Sequence, residues 1–227
     1  MIKIFDINYT LLSEKKSNEL FCIRKQIFKD RLDWSVTCNN NMEYDEYDEY
    51  DEYDNKNATY ILGIYSDQVI SGLRFIDMKN NNMITGAAFD SFFEKKEVIK
   101  ENHLDASRLF IDKEKIKNLD LNTYPLSAML FLAMINYAIT FLYDGIYAVV
   151  SQPMLIIFKR SGWLIKVIEH GISEKKENVY LIHMPVDKKN QKILIDYVNR
   201  MNIKKNISKK NISNITDLYN WPLCFGI

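Results

Sequence analysis

The chain has 227 residues, of which 47% are hydrophobic and 13% aromatic, so it can bury one substantial core and we expect a single domain over residues 1–227. Thirty Lys and Arg balance thirty Asp and Glu, so the net charge gives no indication of a nucleic-acid partner. Three cysteines without CxxC spacing indicate neither a disulfide framework nor a zinc site, and they fit a reducing cytoplasm.

The first fifty or so residues combine a predicted helix with an unusual acidic repeat. The N-terminal stretch MIKIFDINYT lacks the apolar core of a signal peptide. Apolar residues recur at helical spacing over residues 14–31, with Ser13 as a candidate N-cap and Arg24 beside the apolar stripe. The repeat EYDEYDEYDEYD follows, with eight acids and no base between residues 43 and 54. Such charge density predicts an acidic low-complexity loop at about residues 43–57.

The remainder of the chain alternates β-rich and helical patterns. The runs 59–65 and 69–76 predict a hairpin, because a short SerAspGln segment separates them. The later predictions, in chain order, are a strand at 106–111, a helix at about 126–141, a strand at 146–150, a helix at 154–160, strands at 163–168 and 179–183, and a short helix in the Lys- and Asn-rich final forty residues. This order predicts an α/β (α+β) sandwich with a mixed sheet.

One segment has the length of a membrane span. No charged residue lies between Asp120 and Asp144, and about twenty uncharged residues are enough to cross a bilayer. The stretch contains Asn122, Pro125 and Asn136, however, and acids flank it where a cytoplasmic boundary would carry Lys or Arg. We therefore expect a buried helix and no membrane association.

Several common chemistries lack their motifs in this sequence. The seven glycines form no GxG pair, which argues against a Rossmann fingerprint, a Walker loop and a glycine-rich pyrophosphate loop. His103, His170 and His183 lie far apart without metal-ligand spacing, and neither GxSxG nor HExxH occurs. An enzyme with this sequence is expected to work without a metal and without a nucleotide-phosphate clamp.

A set of segments in fixed order resembles a known family. They are IRKQIFKDRLDWSV (23–36), MEYDEYD (42–48), GLRF (72–75), DASRLFID (105–112), YPLS (124–127), LFLAMIN (130–136) and RSGWLIKV (160–167). On these segments, which extend over nearly the whole chain, the sequence resembles the acyl-homoserine-lactone synthases, or autoinducer synthases. The resemblance is closest to the 3-oxo-hexanoyl-homoserine-lactone synthases of plant-associated enterobacteria.

The resemblance implies both a fold and a reaction. The fold would be similar to the GNAT-type N-acyltransferases, with a V-shaped cleft in a mixed sheet. The reaction would transfer an acyl group from acyl carrier protein to the amine of S-adenosylmethionine and then close the lactone, releasing methylthioadenosine and a quorum-sensing autoinducer. S-adenosylmethionine would be a substrate, so no cofactor, metal, nucleic acid or membrane is implied, and the location would be cytoplasmic.

The resemblance also implies three catalytic residues on one strand. Asp105 stands where the family has Glu and is one methylene shorter, which would set a general base about 1.5 Å further back. Ser107 would contact the acyl or phosphopantetheine group. Strand alternation places Asp105 and Ser107 on one face and Arg108 on the other, so we expect Arg108 to pair with Asp45 or Asp48, and a purely structural ion pair is the alternative.

The S-adenosylmethionine end of the site would be polar and aromatic. The residues that match the family there are Arg24, Phe28, Trp34, Asp45, Asp48 and Arg74. Phe28 lies about one helical turn beyond Arg24, and Trp34 could shield the sulfonium. The repeat leaves the register of the acids open, because counting backward from Thr59 gives Asp51 and Asp54. We favour Asp45 and Asp48, which keep their distance from Trp34.

The acyl pocket is predicted from residues spread over the second half of the chain. It would be lined by Phe89, Met154 and Trp163, with Ala148 where members that prefer a 3-oxo chain tend to carry Thr. An Ala cannot donate a hydrogen bond to a 3-oxo group, so this position indicates an unsubstituted, short to medium chain, although the closeness of the other segments to 3-oxo-hexanoyl synthases favours the opposite. Basic residues beside this pocket, Lys159, Arg160 and Lys166, are candidate carrier-protein contacts.

Two other functions stay open on the sequence. One is a coenzyme-A-dependent N-acyltransferase acting on another amine, although the missing glycine-rich loop counts against it. The other is a catalytically degenerate synthase that acts only as a binding protein. The expanded repeat and the change from Glu to Asp105 motivate this second alternative.

Overall fold

A computed structural model of the chain describes residues 2–39, 41–43, 46–47, 51–86, 89, 91–93, 100–204 and 223–224. The strands are β1 (Lys3–Asn8), β2 (Cys38–Asn39), β3 (Met42–Glu43), β4 (Glu46–Tyr47), β5 (Asp51–Glu52), β6 (Ala58–Tyr65), β7 (Gln68–Asp77), β8 (His103–Ile111), β9 (Gly145–Ser151), β10 (Lys166–Ile172), β11 (Asn178–Pro185) and β12 (Leu223–Cys224). The α-helices are α1 (Glu14–Arg24), α2 (Lys113–Asn118), α3 (Leu126–Thr140), α4 (Gln152–Ser161) and α5 (Lys188–Lys204).

Eight of the strands form one mixed sheet in the order β10-β11-β9-β8-β7-β6-β1-β12. Neighbours are antiparallel except β8 with β9 and β1 with β12, which are parallel. The predicted hairpin is β6–β7, whose two-residue turn at Ser66 and Asp67 has φ angles of 47° and 63°. Positive φ at both positions is typical of a type I′ turn, whose twist matches that of the flanking strands. The mixed α/β architecture predicted from the sequence is confirmed, but β1, which pairs with β6, was not predicted.

Helices cover both faces of the sheet. On one face α3 packs in the largest hydrophobic cluster, and twelve of its residues are buried. On the other face α1 packs with a second cluster that includes Leu20 and Ile23. The expected buried helix is therefore confirmed as α3, and no helix among the described residues is long and apolar enough to cross a membrane.

The first helix agrees with the sequence prediction in extent, whereas a later helix and a later strand differ from it. Ser13 caps α1 as predicted, with its hydroxyl accepting from the Lys16 N–H, and the helix continues to Arg31, the predicted end, with Lys25–Arg31 in π-helical form. The C-terminal helix α5 has 17 residues and is longer than the short one expected. The strand predicted at 163–168 begins only at Lys166, because α4 ends at Gly162 with a φ of 84° and the following residues form a connection.

The parallel strands β8 and β9 are paired over only a short distance. Their partners are His103 with Gly145, Leu104 with Ile146 and Asp105 with Tyr147. Beyond these pairs β8 continues to Ile111 and β9 to Ser151 without pairing to each other. The two strands therefore part after Asp105 and leave a wedge-shaped gap in the sheet, as expected for a V-shaped cleft.

Two histidines meet at the closed end of this wedge. The His103 and His183 Nε2 atoms are 3.1 Å apart, and the Tyr147 ring stacks on His103 with a centroid separation of 4.9 Å. They meet over Gly145, where a Cβ would come within 2.4 Å of His183 Nε2. Burial lowers the pKa of His103, and burial together with the neighbouring His103 lowers the pKa of His183 to about 4. The neutral pair thus links β8 and β11 across β9.

This pair predicts a specific acid sensitivity. Because the folded-state pKa of His183 lies below its ordinary value of 6.5, its stabilisation is complete above pH 6.5 and is lost as the pH falls toward 4. On going from pH 7.5 to pH 4.5, we expect the free energy of unfolding to fall by about 1–2 kcal/mol less in His183→Gln than in the parent. This figure is reduced to allow for solvent screening of the half-buried imidazole. Urea unfolding at pH 7.5 and pH 4.5 measures it. The exposed-site variant His170→Gln should keep the parent's acid sensitivity, and equal sensitivity in His183→Gln would contradict the assignment.

Candidate active site

Three polar side chains lie side by side on the α1 face of the sheet. In the strand registers Tyr60 pairs with Arg74, and Arg74 pairs with Ser107. The Arg74 Nε donates to the Ser107 Oγ at 3.1 Å. Ser107 is one of the predicted catalytic residues and Arg74 one of the predicted substrate contacts, so the sheet register brings these two predictions together.

A β-bulge brings Arg108 to the same face, contrary to the sequence expectation. Arg108 has a φ of 54°, and the β7–β8 register shifts by one residue between Gly72 and Arg74. Such an extra residue breaks the two-residue alternation and re-aims the side chain. Phe110 agrees with this change of face, since it packs in the α1-side cluster and not on the α3 side. The prediction that Arg108 points away from Ser107 was therefore wrong.

Buried acids pair with three arginines in the centre of this face. Arg24 Nε lies 2.5 Å from Glu43 Oε2, and Arg108 Nη2 lies 2.9 Å from Glu43 Oε1. Asp54 Oδ1 lies 2.9 Å from both Arg24 Nη1 and Arg74 Nη1. All five side chains are buried. Because a buried charge is tolerated only with a partner, the network fixes α1, β3, β7 and β8 relative to one another.

The acids of this network differ from the pair that the sequence analysis favoured. Asp45 and Asp48 lie outside the described residues, so their predicted pairing with Arg108 stays a prediction. In the alternative register Asp54 does meet arginines, whereas nothing is described of the Asp51 side chain. Glu43 was missed. The described partners are thus the first and last acids of the repeat, and their position next to the regular strands is the signal that could have identified them.

The neighbouring charges and burial together set the ionisation of Asp54 and Tyr60. Burial on its own would raise the pKa of the Asp54 carboxyl, but the Arg24 and Arg74 guanidiniums outweigh burial and hold that pKa well below its ordinary value. Burial raises the pKa of the Tyr60 hydroxyl well above its ordinary value, and the Asp54 charge adds to the effect. Tyr60 therefore stays protonated and donates to Asp54 Oδ1 at 2.6 Å.

Two predicted aromatic residues form a stack beside the network. Phe28, in the π-helical segment, is 1% exposed, and its ring lies 4.9 Å from the Trp34 ring at an interplanar angle of 22°. The Arg108 guanidinium lies over the Phe28 ring, with its Cζ 5.7 Å from the ring centroid. Trp34 is 38% exposed. The stack thus extends from the buried arginines to solvent.

Asp105 is buried on the same face of the sheet. Its side chain is on the same strand face as Ser107 and is 1% exposed. Its Oδ2 accepts a hydrogen bond of 3.0 Å from the Met83 backbone N–H. The Met83 sulphur in turn lies 3.0 Å from Arg74 Nη2 and 3.5 Å from Arg108 Nη1. Met83 was missed by sequence reasoning because it sits in a polar, motif-free loop.

The residues predicted to line one acyl pocket fall in two places. Ala148, Met154 and Trp163 pack in the large cluster around α3, whereas Phe89 packs against the α1-side cluster. Trp163 is 2% exposed, and its Nε1 donates to the Pro185 carbonyl at 2.9 Å. The two clusters lie on opposite faces of the sheet, so Phe89 is separated from the other three residues. Three of the four residues thus belong to one hydrophobic cluster, and Phe89 does not.

The described residues also bear on metal binding. In that part of the chain no three His, Cys, Asp or Glu side chains are grouped so that they could hold a metal ion. The expectation that the reaction needs no metal or cofactor stays a prediction.

Sequence comparisons connect the chain to autoinducer synthases. A family model described as autoinducer synthase matches residues 8–194. An acyl-homoserine-lactone synthase of Serratia liquefaciens is 52% identical over 200 residues, covering 88% of this chain and 97% of that protein. One of Pectobacterium carotovorum subsp. carotovorum is 50% identical over 223 residues, covering 98% of this chain and 96% of that protein.

Solved structures share the fold at lower sequence identity. BjaI, a CoA-dependent acyl-homoserine lactone synthase solved with SAM and isopentyl-CoA, has a TM-score of 0.74 at 15% identity and covers 91% of this chain and 100% of its own. LasI has a TM-score of 0.69 at 19% identity, covering 86% and 93%. An acyl-CoA N-acyltransferase from Pseudomonas aeruginosa has a TM-score of 0.55 at 13% identity, covering 81% and 99%. The expected GNAT-like fold is confirmed.

The ion-pair network predicts a large cost for neutralising Asp54. We expect Asp54→Asn to lower the free energy of unfolding by about 3–5 kcal/mol, because it leaves two buried guanidiniums without their shared charge. Urea unfolding followed by circular dichroism measures the change. Asp30→Asn is the matched control, since Asp30 forms an exposed pair with Lys25 and should cost less than about 1 kcal/mol. Similar small losses in both variants would contradict the network's role.

Proposed function

This chain belongs to the acyl-homoserine-lactone synthase family of acyltransferases, and from that premise we propose its substrates and the residues that act on them. It transfers an acyl group from acyl carrier protein to the α-amine of S-adenosylmethionine. It then closes the homoserine lactone and releases methylthioadenosine. The product is a quorum-sensing autoinducer.

The position of Asp105 carries this proposal. Asp105 belongs to the last residue pair that joins β8 to β9, so its carboxylate stands where the wedge opens. An amine attacks a thioester only after losing its proton, and a carboxylate within reach of the α-nitrogen, directly or through one water, can take that proton. Ser107 lies two residues further along the same face, beside Arg74. These residues therefore line the point where acyl donor and amine would meet.

The reaction has two bond-forming steps. In the first, the α-nitrogen attacks the thioester carbonyl, Asp105 accepts the amine proton and the thiol of the carrier leaves. In the second, the carboxylate of the methionine portion attacks its own γ-carbon, the carbon–sulphur bond breaks and methylthioadenosine leaves as a neutral thioether. The sulfonium carries its own leaving group, methylthioadenosine, so the proposed steps call for no cofactor and no metal.

The α1 face supplies suitable contacts for S-adenosylmethionine. The Phe28–Trp34 stack, of which Trp34 is 38% exposed, offers an aromatic wall that attracts a sulfonium cation. Arg24 and Arg74, held by Asp54, place cationic groups where the substrate carboxylate would be oriented. Asp45 and Asp48 remain predicted members of this end of the site.

The acyl chain would lie on the opposite face, under α3. Ala106 and Ala148 follow the last β8–β9 pair on their strands, and both are buried in the cluster around α3. Neither of these two methyl side chains offers a hydroxyl donor to the wedge. We therefore propose an unsubstituted, short to medium acyl chain there, in contact with Met154 and Trp163.

A basic and apolar surface favours carrier protein as the donor. Helix α4 exposes Ile156 and Ile157 next to Lys159 and Arg160, and Lys166 is exposed at the start of β10. Acyl carrier proteins are acidic, so this surface is complementary to one in charge. Coenzyme A remains a second candidate, because BjaI, with the same fold, is described as CoA-dependent.

Donor competition tests the function. With hexanoyl carrier protein and hexanoyl-CoA at matched concentration, we expect kcat/KM for methylthioadenosine release to be at least about 10-fold higher for the carrier protein. Asp105→Ala should lower turnover by about 100-fold or more, because the general base is lost. Mass spectrometry of the product identifies the lactone. The charge reversal Lys159→Glu/Arg160→Glu should raise KM for carrier protein and leave KM for hexanoyl-CoA unchanged.

Each of the other possible results would indicate a different function or mechanism. Preference for hexanoyl-CoA in methylthioadenosine release would make coenzyme A, and not carrier protein, the donor. Folded protein that releases no methylthioadenosine with either donor would indicate the degenerate synthase. Unchanged turnover in Asp105→Ala would remove Asp105 from the mechanism.

The proposed preference for an unsubstituted acyl chain can be tested by adding a hydroxyl at position 148. In a mixture of hexanoyl and 3-oxohexanoyl carrier proteins, Ala148→Thr should raise the share of 3-oxo product about 10-fold, because Thr can donate to the 3-oxo group. Ala148→Val is the matched control, since it has the same branched shape without the hydroxyl. Liquid chromatography with mass spectrometry gives the product ratio. A parent enzyme that already makes mainly 3-oxo lactone would overturn the proposal.

A further inference from the structure

A buried asparagine organises the loop that follows β7. Asn82 is 0% exposed, and both ends of its side-chain amide contact backbone. Its Nδ2 donates to the Asn80 carbonyl at 2.9 Å and to the Met78 carbonyl at 3.4 Å. Its Oδ1 accepts from the N–H groups of Ile84 and Thr85, each at 3.0 Å. A buried polar group with this many partners holds the backbone in one shape.

The residue that this turn encloses is Met83, which contacts the reacting face in two ways. Its backbone N–H donates to Asp105 Oδ2 at 3.0 Å. Its sulphur lies 3.0 Å from Arg74 Nη2 and 3.5 Å from Arg108 Nη1. With only 6% of Met83 exposed, the hydrogen bond to Asp105 is shielded from water. One loop residue therefore contacts the carboxylate and two of the arginines.

A backbone donor on a buried carboxylate has two effects. It holds one oxygen in place, which restricts rotation about the side-chain bonds, and it favours the charged form of the carboxylate. Both effects matter for a general base, which must be correctly oriented and ionised at the operating pH. Asp has a short side chain, so one backbone donor at the right place restricts the direction of its carboxylate.

We propose that Asn82 and Met83 are positioning residues for the acyl-transfer step. The Asn82 side chain shapes the turn so that the Met83 N–H orients the Asp105 carboxylate and favours its charged form. This inference rests on the proposed role of Asp105 as the proton acceptor. Neither residue touches substrate in this scheme. Asn82 acts through the Met83 backbone, and the Met83 backbone acts through Asp105.

The test is the pH dependence of kcat/KM in variants of this turn, with hexanoyl carrier protein as donor. Asn82→Ala should lower kcat by about 10- to 100-fold with little change in KM for S-adenosylmethionine. The acidic limb of the pH profile of this variant should move to higher pH by roughly half a unit to one unit, because the Asp105 carboxylate loses a donor that favours its charged form. Met83→Leu keeps the N–H and should keep the parent's acidic limb. Asn80→Ala removes a neighbouring amide and should behave as the parent.

A folded Asn82→Ala enzyme with the parent's kcat and acidic limb would overturn the inference. A shifted acidic limb in Met83→Leu would also overturn it, because the thioether and not the backbone N–H would then set the ionisation. If Asn82→Ala is inactive for lack of folding, NMR of the parent labelled with ¹⁵N-methionine provides a second test. The Met83 amide proton should lie at low field and move upfield in Asp105→Asn. An unchanged Met83 resonance would overturn the inference.

The Asp105→Ala result separates this inference from the proposed function. If Asp105→Ala is inactive while Asn82→Ala behaves as the parent, the positioning role fails and the base assignment survives. If Asp105→Ala is fully active, the base assignment fails and the positioning role fails with it.

Discussion

The buried ion pairs among Arg24, Arg74, Arg108, Glu43 and Asp54 are the constraint on which the rest of the site depends. A guanidinium buried without a partner costs several kcal/mol, so the first and last acids of the repeat must remain beside these arginines. The network thereby holds the helix α1, the acidic segment and the strands β7 and β8 in one arrangement. Because charge burial is a poor source of net stability, the hydrophobic clusters on both sheet faces must provide the stability of the fold.

Two departures from regular sheet geometry direct side chains into this network. The bulge at Arg108 places consecutive residues Ser107 and Arg108 on the same face, which a regular strand cannot do. The parting of β8 and β9 after Asp105 opens the sheet at the position of the carboxylate. Strand pairing supplies rigidity up to that point, and in the proposed reaction the gap beyond it would admit the acyl chain and the amine from opposite faces.

The acidic repeat illustrates how an insertion is tolerated. Glu43 and Asp54 keep charge partners on the core side, so the residues between them can expand without removing an acid from the arginines. Loop length is thermodynamically inexpensive, since each doubling costs only about 0.6 kcal/mol. The repeat therefore does not by itself argue for a degenerate enzyme. The acids needed for the buried network are retained at both of its ends.

The sequence by itself determined the family, the mixed α/β architecture, the buried helix α3 and the identity of Arg24, Arg74, Asp105, Ser107 and Arg108 as candidates. The architecture and the helix follow from local periodicity, whereas the family and the candidate residues follow from the resemblance of segments along the chain to a known family. Only the tertiary structure decided that Arg108 faces Ser107, that Glu43 and Asp54 are acid partners of the arginines, and that Met83 contacts Asp105. These facts depend on a bulge and on contacts between residues distant in sequence. A two-residue alternation or a motif count contains no information about either.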